Sequence, residues 1–302
     1  MAELVNSTPP LMPSPSQAAE ELAVSPWKEG WKSFKKNKAA VIGLGIVIFF
    51  ILLAIFADLI APHPFDKQHL SDKHLSPSAA HWFGTDEFGR DILSRIIFGA
   101  RLSLGVGFLS VAGSVVAGSF LGIIAGYYGK WVDTIISRFF DILLAFPSIL
   151  LAIAVVSVLG PSLRNALIAI AIINVPTFGR LLRSRVLSVK EEEYITAAKA
   201  IGMKDGRILL HHILPNSLAP IIVQGTLAIA TAIIEAAALG FLGMGAQAPA
   251  PEWGKMLADS KDFIMEAPWT VIFPGLSIML TVLGFNLMGD GLRDALDPRM
   301  KK

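Results

Sequence analysis

The sequence predicts an all-α integral membrane protein with six transmembrane helices and both termini on the cytoplasmic side. Three observations carry this. Of the 302 residues, 53% are hydrophobic and 17% charged, with a mean hydropathy of +0.59, whereas soluble domains carry about 25% charged residues. Six apolar runs, at 39–61, 102–127, 139–159, 163–182, 221–243 and 269–289, each reach the roughly 20 residues that a helix needs to cross a bilayer core. With the N-terminus inside, Lys and Arg number 18 on cytoplasmic segments and 8 on external ones, the asymmetry that sets orientation.

Several chemistries are excluded at once. A net charge of +2 is too small to point to nucleic acid, and the absence of Cys removes disulfides, thiolate catalysis and Cys-bound metals. The six His are scattered, with no pair at the i, i+4 spacing of a metal-binding helix face, so no metal site is expected. No G-x-x-x-x-G-K-[ST] phosphate loop is present; GIIAGYYG at 122–129 lacks the Lys and lies in an apolar run. The chain is therefore not expected to bind or hydrolyse ATP.

In chain order, residues 1–25 are rich in Pro, Ser and Ala without periodicity and read as a disordered tail. Residues 26–61 hold an amphipathic helix and the first span. Trp27, Trp31 and Phe34 share one face, with Lys on the others, as in a helix lying at headgroup depth. Residues 62–101 form a polar external segment. Residues 102–291 are a five-helix core interrupted by a polar stretch at 183–220, and residues 292–302 are a basic cytoplasmic tail held to the anionic leaflet by Arg293, Arg299, Lys301 and Lys302.

The core carries its own signals. Gly118, Gly122 and Gly126 make a small-residue ridge that allows close helix approach. Pro147, Pro176 and Pro274 each free a carbonyl that protein or cavity water must satisfy. Asp141 and Glu235 lie in apolar surroundings, where an acid facing lipid costs roughly 2.5–3.5 kcal/mol. Asp141 is placed to pair with Arg138 or Arg180. For Glu235 two readings stand, a position on a water-filled translocation path and a structural role. On the outer side, residues 247–261 offer Pro251, Glu252 and Trp253 as a docking surface for an external partner, or as a short helix lying on the bilayer.

The stretch 183–220 is longer than a helix–helix connection in a packed bundle requires. Tyr194, Ala197, Ala198 and Ile201 fall on one helical face, and the two Ala leave no bulk between that face and a second surface. Gly202 permits a φ > 0 turn. Ile208, Leu209, Ile213 and Leu214 form a second apolar set before Pro215 and Pro220 restart the chain. The expectation is a short helix, a turn and a second short helix standing off the membrane, suited to helix-in-groove docking.

This segment resembles the EAA loop of ABC importer permeases: Ala197-Ala198, three residues, Gly202, then Leu214-Pro215 in register. Thr196 replaces the motif's Glu, and His212 occupies its Ile position. FGTDEFGRD at 83–91, AGYYGKWVD at 125–133, LGFLGMGAQAPAPEWG at 239–254 and FNLMGDGLRDALDP at 285–298 resemble the C-type subunit of the dipeptide, oligopeptide and nickel branch. The resemblance implies the type I importer permease fold in a bacterial or archaeal cytoplasmic membrane. It implies a second, B-type permease, two ATPase subunits that hold ATP and Mg, and an external substrate-binding protein. Residues 183–220 would form the coupling helix seated on an ATPase, with Ala197, Ala198 and Gly202 in close contact and Leu214-Pro215 anchoring it to the fifth span. The cargo implied is a di- or oligopeptide, with nickel chelates or glutathione as the alternative. An intramembrane enzyme would need a nucleophile–base or two-Asp constellation, and a secondary transporter would need inverted halves. The sequence shows neither.

Overall fold

A computed structural model describes residues 26–296. The expected N-terminal tail at 1–25 and the basic residues Arg299, Lys301 and Lys302 lie outside the described residues. Within them the chain is helical in every regular element longer than an isolated bridge. The elements are α1 (Pro26–Lys36), α2 (Lys38–Ile55), α3 (Ala57–Ile60), α4 (Ile92–Tyr128), α5 (Lys130–Leu144), α6 (Ser148–Leu159), α7 (Leu163–Val189), α8 (Glu193–Ala200), α9 (Asp205–Ile208), α10 (Leu214–Phe241), α11 (Trp253–Ser260) and α12 (Trp269–Leu296). A single π-helical turn, Leu209–Ile213, joins α9 to α10. Five helical runs are long and apolar enough to cross a membrane: α2, α4, α7, α9 through α10, and α12. The bent pair α5 and α6 makes a sixth when the two are taken together as one span.

That bend changes the expected third span. Instead of one straight helix over 139–159, α5 and α6 meet at 93°. Pro147 sits at the break, where it lacks an N–H for the helical ladder and disfavours helical geometry at Phe146. The second span starts ten residues before its apolar run, with Asp91 and Arg101 at its head finding partners within the fold. Asp91 caps α4, accepting from the Ser94 N–H at 2.8 Å. Arg101 donates to the carbonyls of Ala54 and Ile55 at the end of α2, at 2.5 and 3.0 Å, and to Asp58 at 2.7 Å.

The bundle is held by small-residue crossings. The Gly118–Gly122–Gly126 ridge of α4 lies against α7. A Cβ on Gly118 would stand 2.5 Å from the Val175 carbonyl oxygen, and one on Gly122 would overlap the carbonyl of Gly179. Gly179 in turn leaves room for the ring of Phe140 on α5, which is fully buried. Where α2 crosses α12, a Cβ on Gly43 would lie 2.7 Å from the Gly284 carbonyl oxygen. With no hydrophobic drive between helices in lipid, such close van der Waals approach is what associates them.

The ends of the described chain meet. Phe34 of α1 is 2% exposed and packs with Ala40, Leu44, Leu292 and Ala295. The aromatic face expected at headgroup depth is thus divided: Phe34 packs on α12, while Trp31, stacked on it at 5.6 Å, stays half exposed under Lys35.

Candidate functional site

The polar stretch after α7 is built as an arm attached to the bundle. Helix α8 turns Ile195, 0% exposed, and Ala198, 6% exposed, inward. They are followed by Ile208 and Ile213, also fully buried; Ile195, Ile208 and Ile213 cluster with Val186 of α7, and Ile123, Tyr127, Val189, Met203 and Leu209 pack around that cluster. Tyr194, Ala197 and Ile201 point out, with Ile201 79% exposed. The expected docking face therefore loses Ala198. At 100° per residue, Ala198 lies on the boundary between the two sides, and the i, i+3 pairing with Ile195 draws it inward.

The end of α8 is closed at Gly202, whose φ is +78°. The Met203 N–H reaches the Ala198 carbonyl at 3.1 Å and the Gly202 N–H reaches that of Lys199 at 3.0 Å. This is the paired C-terminal closure that needs a left-handed residue, which Gly supplies without a Cβ penalty. The second short helix does not stand apart as expected. α9 runs through the π-helical turn into α10, and Leu214-Pro215 lie inside one continuous rod. The wider turn accommodates the Pro215 ring and its missing N–H. Ile208 and Ile213 anchor this rod, while Leu214 is half-buried and Pro215 exposed.

Polar ties reinforce the attachment. The Tyr127 hydroxyl donates to Asp205 at 2.5 Å, and Lys199 lies 5.4 Å from the Tyr127 ring centre. Lys190 donates to the Gly126 carbonyl at 3.2 Å. Arg183 grips Asp133 of α5 with two bonds, at 2.5 and 2.7 Å. Asn216 donates to the Tyr194 hydroxyl at 3.2 Å and to the His212 carbonyl at 2.7 Å. Ile195, Tyr127, Asp205 and Asn216 escaped the sequence reading. The Ile195–Ala198 spacing was a usable signal for the inner face, but the other contacts join positions up to 78 residues apart.

Inside the bundle, Glu235 is 7% exposed and accepts from Asn174 of α7 at 3.2 Å. It faces protein, not lipid. Asp141 lies between Arg180, at 2.7 Å, and Arg138, at 3.7 Å, all three well exposed. On the other side of the bundle, Pro251, Glu252 and Trp253 do not form a docking surface. Trp253 is fully buried, its Nε1 donates to the Ile96 carbonyl at 3.1 Å, and its ring meets Phe50 edge-on at 5.6 Å. Glu252, 2% exposed, caps α11 by accepting from the Gly254 and Lys255 N–H groups at 2.8 Å each. Burial pushes the Glu252 carboxyl above the usual range, against the pull of those bonds. A polar cap and an aromatic anchor hold the 247–261 stretch into the fold.

This arrangement defines a polytopic helical membrane protein that carries a short helix packed by one face on the bundle and exposed on the other. Residues 118–302 match the family described as binding-protein-dependent transport system inner membrane component, and residues 25–77 match the N-terminal transmembrane domain of oligopeptide transport permease C. The dipeptide transport system permease protein DppC of Alkalihalophilus pseudofirmus is 65% identical, with 98% of each chain covered. The di/tripeptide transport system permease protein DppC of Pseudomonas aeruginosa is 48% identical over 92% of this chain and 93% of its own length. The glutathione transport system permease protein GsiD of Pectobacterium atrosepticum is 47% identical, with 92% of each covered. Among solved structures, a chain of the inward-facing MetNI methionine ABC transporter shares the fold, with a TM-score of 0.54 and 17% identity over 68% of this chain and 98% of that one. The chain belongs to the binding-protein-dependent ABC importer permeases, in their dipeptide and oligopeptide permease C branch, and is a multi-pass component of the inner membrane.

Proposed function

We propose that this chain is the C-type permease subunit of an ATP-driven importer that carries small peptides inward by alternating access. It would pair with a B-type permease, two ATPase subunits that hold ATP and Mg, and an external binding protein, with both its termini cytoplasmic. The observation that carries the reading is the outward Tyr194–Ala197–Ile201 face on a helix whose other side is buried in the bundle. A groove on an ATPase would receive that face. Closure of the ATPase pair would then move α8 as a rigid body, and the cluster around Ile195 would pass the motion to α4 and α7.

The names of the relatives support a peptide cargo, since dipeptide, di/tripeptide and glutathione permeases all share this chain's length and pattern, and glutathione is itself a tripeptide. Glu235, facing Asn174 between α7 and α10, is the polar point we place on the interior path. Uptake of a labelled dipeptide by the reconstituted complex tests the proposal. Transport should stop when the ATPase active sites are disabled; transport that persists would contradict ATP coupling. Nickel-chelate uptake exceeding peptide uptake would contradict the cargo.

A further inference from the structure

The external segment between α3 and α4 brings together three groups that the transport reading does not use. His63 follows the end of α3, His81 lies in the loop, and Asp91 caps α4. Their ligand atoms all lie within 4.8 Å of one another, and among the described residues no other His, Cys, Asp and Glu group meets that test. The spacing 63, 81, 91 has no sequence signature, which is why none was expected.

The hydrogen bonds around the three groups orient them. His63 Nε2 lies 3.1 Å from the Ala80 carbonyl oxygen, which can only accept. Nε2 therefore carries the hydrogen and Nδ1 holds the free lone pair. The His63 backbone N–H donates to Ser94 Oγ at 3.0 Å, and Ser94 Oγ donates to Asp91 Oδ2 at 2.7 Å. One serine thus places both residues. The Ser94 N–H also binds Asp91 Oδ2, leaving Oδ1 to accept a hydrogen bond from His81 Nδ1–H at 2.9 Å, a proton that a bound metal ion would displace. The His63 and His81 rings lie 4.9 Å apart. A histidine that donates its second nitrogen to a carbonyl, and a carboxylate held by outer bonds, are the supports that metal ligands receive.

We propose that His63, His81 and Asp91 bind a divalent transition-metal ion of the zinc, cobalt or nickel kind on the external face. Two imidazoles and one carboxylate favour these ions over magnesium or calcium. Three protein ligands leave a fourth position for water. Asp91 is buried, while His63 and His81 are partly open to solvent, His81 with 15% of its side chain exposed, so the ion enters from the solvent side. Bound there, it ties the end of α3 and the 61–91 segment to the head of α4. This site is separate from the transported cargo and stands or falls independently of it.

The test uses the complete complex in nanodiscs, purified without a histidine tag, stripped with chelator and titrated with Co²⁺. Wild type should show a visible d–d band that Zn²⁺ displaces, and Zn²⁺ should raise its melting temperature. His63→Ala and His81→Ala should each weaken Co²⁺ binding by at least about tenfold, with dipeptide uptake at wild-type level in proteoliposomes confirming an intact fold. If His81→Ala does not assemble, His63→Ala decides alone. A wild type without the band, or an equal band in His63→Ala, overturns the site.

Discussion

The Tyr127 hydroxyl, near the end of α4, donates a 2.5 Å hydrogen bond to Asp205, the first residue of the rod that continues into α10. These residues belong to different helices, so the bond adds a polar tie between the arm and α4 beside the apolar cluster that Tyr127 also packs against. A hydrogen bond to a charged acceptor is worth about 1.5–3 kcal/mol, less when solvent reaches it. Tyr127→Phe is therefore expected to keep the chain folded while lowering peptide uptake severalfold at unchanged ATP hydrolysis. Paired uptake and ATPase assays check this. Equal retention of both would show that the tie does not transmit motion.

The α4–α7 crossing should tolerate no bulk. A side chain at Gly122 must displace the backbone of Gly179, which has nowhere to go because Phe140 fills its far side. Overpacking of this kind costs about 1–3 kcal/mol or more. Gly122→Leu is expected to lower the yield of monodisperse complex and its melting temperature, read by size exclusion and thermal unfolding. Gly105, with open space around it, is the control.

Glu235→Gln keeps an acceptor for Asn174 and removes the charge. The complex should assemble with its melting temperature intact, and uptake should fall by about tenfold, the effect of about 1.4 kcal/mol at the barrier. Loss of folded protein in proportion to loss of uptake would instead make the residue structural.

Glu87, in the segment just before α4, sets a pH dependence of stability. Burial, then the charge of Asp86, raises its carboxyl above the ordinary glutamate range, while Arg90 opposes the shift. The unfolded chain therefore ionises Glu87 first as pH rises. Stability from this residue is full below the unfolded value and declines through the interval up to the folded one. Glu87→Gln should melt higher than wild type above that interval and match it below. A wild-type disadvantage confined to acid pH would reverse the assignment.

How much of this was legible follows from where each signal resides. Gly118, Gly122 and Gly126 recur every four residues, so the ridge could be read without knowing its partner. Gly202 was equally plain, because one residue type serves one backbone conformation. Ala198 was misplaced because the boundary of a helix face depends on what packs there, and Ile195 decides it. Pro251, Glu252 and Trp253 looked external because they sit in a polar, Pro-rich stretch between spans. Their burial comes from Ile96, Phe50 and Ser103, roughly 150 to 200 positions away, and no local pattern encodes such contacts. Pro147 was seen as an irregularity, but the 93° angle depends on the helices around it.

In the proposed complex the outer face of α8 meets the ATPase while its inner face meets the bundle. The chain has no Cys, so single cysteines can be introduced without background. Ala197→Cys and Ile201→Cys should crosslink to an introduced cysteine in the ATPase groove within the assembled complex and abolish uptake on crosslinking. Ile195→Cys should give no product in the same assay. Crosslinks from Ile195 at equal yield, or none from Ala197 and Ile201 in a complex that still imports peptide, would contradict the account.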